Sequence, residues 1–189
     1  MNRGPTQRLT GFYSGYIAHM FEVLVFVYEN YWRGDECPEP GALERKLHAV
    51  GFDATEIQEA LTWLEGLNLA ACGLQTLPPE RGAELHPYPP QAPLWAASRM
   101  SMRVYSVAEQ NQLGAECLGF VHFLETSGKL PAHLREMVMD RAMAACADPV
   151  LTLQDLKTIV LMVYWSLGEE PDALVLDELC DNAVARIAH

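Results

Sequence analysis

The stretch Thr152-Leu153-Gln154-Asp155-Leu156-Lys157-Thr158-Ile159-Val160-Leu161-Met162-Val163-Tyr164-Trp165-Ser166-Leu167-Gly168 decides the fold class. Thr152 and Asp155 have capping-box spacing, the first side chain serving the N–H three residues on and the second reaching back. Gly168 supplies a left-handed residue at the far end. Between these signals lies a helix of residues 156–167, apolar on nearly every side after residue 158. Its core, Ile159 to Trp165, is the longest uninterrupted apolar run in the chain. Seven residues cannot cross a bilayer. The run reads as the central helix of a bundle, with lining a small-ligand pocket as the rarer alternative.

Similar signals recur on either side. Residues 21–32 are almost wholly apolar and valine-rich; their length favours a helix over a strand. Glu22, Glu29 and Arg33 would share its outer side. Pro40-Gly41 opens a helix with Leu43, Leu47 and Val50 inward, and Gly51 ends it. Asp53 and Glu56 cap the next, in which Ile57, Ala60, Leu61 and Leu64 share a face to about residue 67. Ser106 and Glu109 form another capping box before Leu113, Cys117, Phe120 and Leu124, and Gly128 closes that helix. Pro131 starts a helix with Leu134, Met137, Val138, Ala142 and Ala145 inward. Pro171 starts a last one, with Leu174, Leu179 and Ala183 inward. No Asn-Gly hairpin signal occurs.

The expected fold is therefore all-α. An N-terminal three-helix module spans 20–71 and a C-terminal four-helix module spans 99–189. Residues 72–98 hold six of the twelve prolines and read as a linker that sustains neither helix nor central strand. Residues 1–19 lack periodicity. Either Met20 is the true start, or these residues form a flexible arm.

Composition excludes several functions. The chain has 189 residues, half of them apolar, and a net charge of −12. Such a balance belongs to a globular protein. It opposes broad contact with nucleic-acid phosphates, which requires clustered Lys and Arg. Five cysteines at 37, 72, 117, 146 and 180 lack metal-ligand spacing and are odd in number, so reduced thiols in a cytoplasm are expected. No His-x-x-x-His pair, phosphate-binding glycine loop or nucleophile elbow is present. No catalytic residue, metal or cofactor is assigned, and Glu136 with Asp140 and Arg141 reads as a solvated, salt-bridged face.

Arg99, Arg103 and Tyr105 stand out. Residues 85–108 contain both arginines and no acid, and they lead into the Ser106-capped helix. Arginines beside a helix start suit an anion. The competing role is structural, with Arg103 clamping an acid of the N-terminal module and Tyr105 docking the linker.

Several separated blocks resemble the bacterial Smg family. They are Met20-Phe21-Glu22-Val23-Leu24, Gly51-Phe52-Asp53 with Ala60-Leu61-Thr62-Trp63-Leu64, and Ser101-Met102-Arg103-Val104-Tyr105. Further along come Gly119-Phe120, Leu134-Arg135-Glu136-Met137-Val138, Asp155-Leu156-Lys157 and Ile159-Val160-Leu161-Met162-Val163. The resemblance spans roughly residues 20–185. It implies no catalytic residues, because the family's biochemical function is undefined. Its genes often neighbour those of a DNA-processing protein and topoisomerase I. Separately, Gly51-Phe52 between short helices is similar to ubiquitin-associated modules, which bind proteins through that turn.

The expected function is a non-enzymatic cytoplasmic adaptor. Its partners are proteins, basic ones favoured, because complementary charge speeds encounter. The alternative is a nucleic-acid-associated protein using Arg99, Arg103 and Tyr105, and a third reading is a small-ligand carrier. Gly51, Phe52, Arg99, Arg103 and Tyr105 are the partner-binding candidates.

Overall fold

The computed structural model describes residues 13–31, 40–75, 103–145, 150–169, 171 and 176. Six helices follow in order: α1 (Tyr13–Tyr31), α2 (Pro40–Val50), α3 (Ala54–Gln75), α4 (Val107–Thr126), α5 (Ala132–Ala145) and α6 (Leu153–Leu167). Among the described residues there is no strand, and the protein is all-α. The expected seventh helix, after Pro171, lies outside the described residues apart from Leu176, which is helical. So do Arg99 and the prolines of the expected linker.

Helix α6 begins and ends where its caps dictate. The Thr152 hydroxyl accepts from the Asp155 N–H at 3.2 Å, and the Asp155 carboxylate accepts from the Thr152 N–H at 3.3 Å. Gly168 closes it at φ 67°, donating to the carbonyls of Trp165 and Tyr164. Every residue from Asp155 to Tyr164 is buried, so the helix is enclosed on all sides. It packs against α1 and α3 as well as α4 and α5. Each large apolar side chain so enclosed contributes about 1.5–3 kcal/mol. The apolar run is thus the axis of the whole molecule, not of one module.

One core follows from this. Met20, Phe21, Leu24 and Val27 of α1 join Ile57, Trp63, Leu64 and Leu67 of α3 in the cluster that also holds the interiors of α4, α5 and α6. The described helices of the two expected modules therefore share a single interior. Trp63 makes a polar stitch across it, its indole Nε1–H donating to the Arg141 carbonyl at 3.0 Å. Gly66, one turn on, leaves space for the Arg141 guanidinium: a Cβ there would lie 2.1 Å from Nη1.

Three boundaries differ from the sequence expectation. Helix α1 starts at Tyr13, ahead of the Met20 where its apolar half begins. Helix α3 continues to Gln75, since Leu69-Ala70-Ala71-Cys72 carries no breaker and the first proline comes only at Pro78. Helix α4 is interrupted at Gly114 (φ 68°, ψ 175°), a backbone open to glycine alone. The break frees the Gln112 carbonyl, which accepts from the Leu151 N–H at 2.9 Å. Cys117 Sγ, buried below, donates to the Leu151 carbonyl at 3.4 Å. The kink thereby fastens the entry to α6 onto α4.

Candidate functional site

Arg103 is a saturated cation. Its Nε lies 2.8 Å from Glu136 Oε1 and its Nη2 2.9 Å from Glu136 Oε2, a two-pronged pair with α5. Nη2 also reaches Glu109 Oε1 at 2.7 Å on α4. The Tyr105 ring covers the guanidinium at 4.7 Å. Glu109 meanwhile accepts from the Ser106 N–H at 2.7 Å, so the capping box and the ion cluster share one carboxylate. Arg135 joins through Glu136 at 2.8 Å and also pairs with Glu125.

The electrostatics are mutual. The hydrogen bond from Arg103 holds the Glu109 carboxyl down at about 2. Burial pushes Glu136 up, but Arg103 and Arg135 outweigh it and its net shift is downward. The two carboxylates raise the guanidinium above its ordinary value. Burial raises the Tyr105 phenol. Nε, Nη1 and Nη2 of Arg103 all donate to Glu109 or Glu136, so among the described residues the guanidinium is held by α4 and α5. The clamp runs to α4 and α5, not to an acid of the N-terminal helices.

Gly51 and Phe52 sit together at the α2–α3 turn. Gly51 adopts φ 114° and donates to the Leu47 and His48 carbonyls, closing α2. Phe52 is half-buried and meets Phe26 of α1 edge-on, with centroids 5.8 Å apart at 69°. Its ring is committed to the contact between α1 and the turn. The structure does not bring this turn into the Arg103 cluster, and neither forms a cavity with the other.

An open concavity among the described residues lies elsewhere. A groove of about 590 Å³ runs between α2 and α3 and is also lined by Trp165 of α6. Leu43, Leu61, Leu64 and Leu69 give it apolar lining, and Glu44 and Glu65 add two carboxylates. From α3 come Gln58, Leu61, Thr62, Leu64, Glu65, Asn68, Leu69 and Cys72; Leu64 borders the core, and the others step along one helical face. They form a stripe one residue out of phase with the core stripe Ile57, Ala60, Leu64, Leu67 and Ala71. Leu61, expected inward, is only half-buried and faces the groove, while Trp63 takes the interior position. Leu69 is 70% exposed.

Among the described residues no three His, Cys, Asp or Glu side chains gather as a metal site. No helix of the described residues is long and apolar enough to cross a membrane. Cys72 is exposed and Cys117 buried, and neither is disulfide-bonded.

The family described as "Protein of unknown function (DUF494)" matches residues 20–189. The chain belongs to the Smg family. It is 51% identical over 170 residues to the "Protein Smg homolog" of Leptothrix cholodnii, an alignment covering 90% of this chain and all of the relative. The homologue of Methylibium petroleiphilum matches at the same identity and coverage, and that of Bordetella avium at 44% over the same span. No solved structure matches the chain. Within this Smg-family fold the groove was missed by sequence reasoning. The signal that marks it is the second apolar stripe of α3, Leu61 and Leu69 at a spacing of eight, beside the stripe that builds the core.

Proposed function

We propose that this Smg-family chain is an adaptor, a protein-interaction module of the cytoplasm without chemistry of its own. The observation that carries the reading is the groove between α2 and α3, an apolar channel among the described residues beside the one core that their helices share. Concave apolar surfaces of this kind are where helices and peptides dock. The acidic balance of the surrounding helices supports a basic partner, since residues 20–71 carry 10 acidic and 3 basic side chains. The Arg103 cluster supports the same reading from the other direction. A guanidinium already held by two carboxylates and a ring is a poor seat for a phosphate, which counts against the nucleic-acid alternative.

The test is crosslinking in cells at native expression, comparing the natural chain with Leu69→Asp. A stoichiometric protein partner that disappears with the variant is expected. Absence of any such partner from the natural chain overturns the adaptor reading. Salt-titrated binding to single- and double-stranded DNA and RNA, with saturable affinity lost in Arg103→Ala, would revive the alternative.

A further inference from the structure

We infer that the α2–α3 groove takes a basic amphipathic helix of the partner, about four turns long, with its apolar face on Leu61 and Leu69 and its cations against Glu44 and Glu65. The inference rests on the adaptor reading and gives the occupant a chemistry.

Length comes first. The α3 wall from Gln58 to Cys72 is one helical face, and at 1.5 Å per residue it extends about 21 Å. A helix of about 14 residues matches that wall. Shape comes second. The described residues offer no sheet edge for an added strand. The lining holds a single aromatic residue, Trp165, whereas extended proline-rich ligands require aromatic-lined grooves. A channel between two helices is filled by a third, with anchors at i, i+3 or i+4, and i+7.

Charge decides the occupant's sign. The groove is lined by two glutamates and by no Lys, Arg or His. The cations of α2 are engaged elsewhere: Lys46 Nζ lies 5.1 Å over the Tyr31 ring, and Arg45 Nε donates to the Gly41 carbonyl at 3.1 Å. An acidic helix would face both glutamates without compensation. A basic one places Lys or Arg beside each while its apolar side covers the leucines.

The test uses the full chain and a dye-labelled peptide of about 14 residues, with Leu at helical spacing and Lys elsewhere. Its controls are a scramble of the same composition and a version with Glu for Lys. Anisotropy is read at about 150 mM salt, where charges beyond about 8 Å are screened. The basic amphipathic peptide is expected to bind roughly tenfold or more tighter than either control. Leu69→Asp is expected to weaken it by roughly tenfold, and Glu44→Lys with Glu65→Lys to invert the preference toward the acidic peptide. Circular dichroism confirms that these exposed changes leave the fold intact. Equal binding of the scramble, or affinity indifferent to both variants, overturns the inference.

A photo-crosslinking residue at position 69 separates the two levels of failure. Trapping a different protein in cells while the basic peptide fails leaves the adaptor reading standing and overturns only the occupant's chemistry. Trapping a second copy of the chain, or a segment of the same chain, overturns the inference outright. Trapping nothing, with no peptide bound, sinks both.

Discussion

Arg103 and the α2–α3 groove reverse what their sequences suggest. Two arginines and a tyrosine before a helix start look like a place for a ligand, yet Arg103 and Tyr105 face inward to Glu109, Glu136 and each other. Leu61 looks like ordinary interior, yet it lines the open groove with Leu69. The difference lies in what each group can satisfy at home. A guanidinium has five donors in a fixed fork and finds matching carboxylates one helix away. An apolar stripe can only be covered, and α3 carries two stripes where its neighbours cover one. Polar residues near a helix start therefore report on assembly here, while the surplus apolar residues of α3 line a groove.

The largest effect tests the frame that carries both regions. Ile159 is fully buried on α6, between helices of both groups. Ile159→Ala is expected to cost about 2–5 kcal/mol. Thermal unfolding should stay a single transition, with calorimetric and van't Hoff enthalpies in agreement. Two separate transitions in the natural chain would show that the shared core does not couple the groups.

Arg103→Ala comes next. It leaves Glu109 with the Ser106 N–H and Glu136 with Arg135 alone, and should lower stability by about 1–3 kcal/mol by denaturant titration. Arg103→Lys should restore only part of this, because an ammonium cannot make the paired contacts. An unchanged melting temperature would return the cluster to the list of binding surfaces.

The pH dependence follows from the same carboxylate. Glu109 titrates at about 2 in the folded chain against an ordinary 4.5. Its contribution is complete above about 4.5 and is lost as pH falls toward 2. Melting temperatures measured from pH 6 downward should therefore fall less steeply below 4.5 in Glu109→Gln than in the natural chain. Parallel curves would deny that the pairing stabilises the fold.

Leu69→Asp should barely alter stability, within about 0.5 kcal/mol, as expected for a surface change, while removing groove binding. A loss beyond that range would mean that Leu69 belongs to the core after all.

Much of the fold was legible because local signals and global packing agree. The capping boxes at Ser106 and Thr152 and the terminator Gly168 stand where spacing placed them. The inward positions Leu113, Cys117, Leu124, Leu134 and Met137 are buried as their period required. The grouping of helices was not legible. Residues 159–165 announce burial on every side but not by which helices, and a proline-rich stretch suggests separation where the core is continuous. The kink at Gly114 escaped because a glycine inside a helical pattern does not announce a break, and the Leu151 N–H that takes up the freed Gln112 carbonyl lies far along the chain. The groove escaped because periodicity identifies an apolar stripe without saying whether anything covers it.

The continuous core changes what the covalent connection between α3 and α4 is for. Helices on both sides of residues 76–102 already bury their faces against α6, so the connection's thermodynamic work is to keep the local concentration of one half high around the other. A gene split between codons 76 and 102 should then yield two polypeptides that co-purify and melt together. Their melting temperature would depend on protein concentration, as for a heterodimer. If so, insertions between α3 and α4 would tune the encounter of the two groups of helices more than their fit.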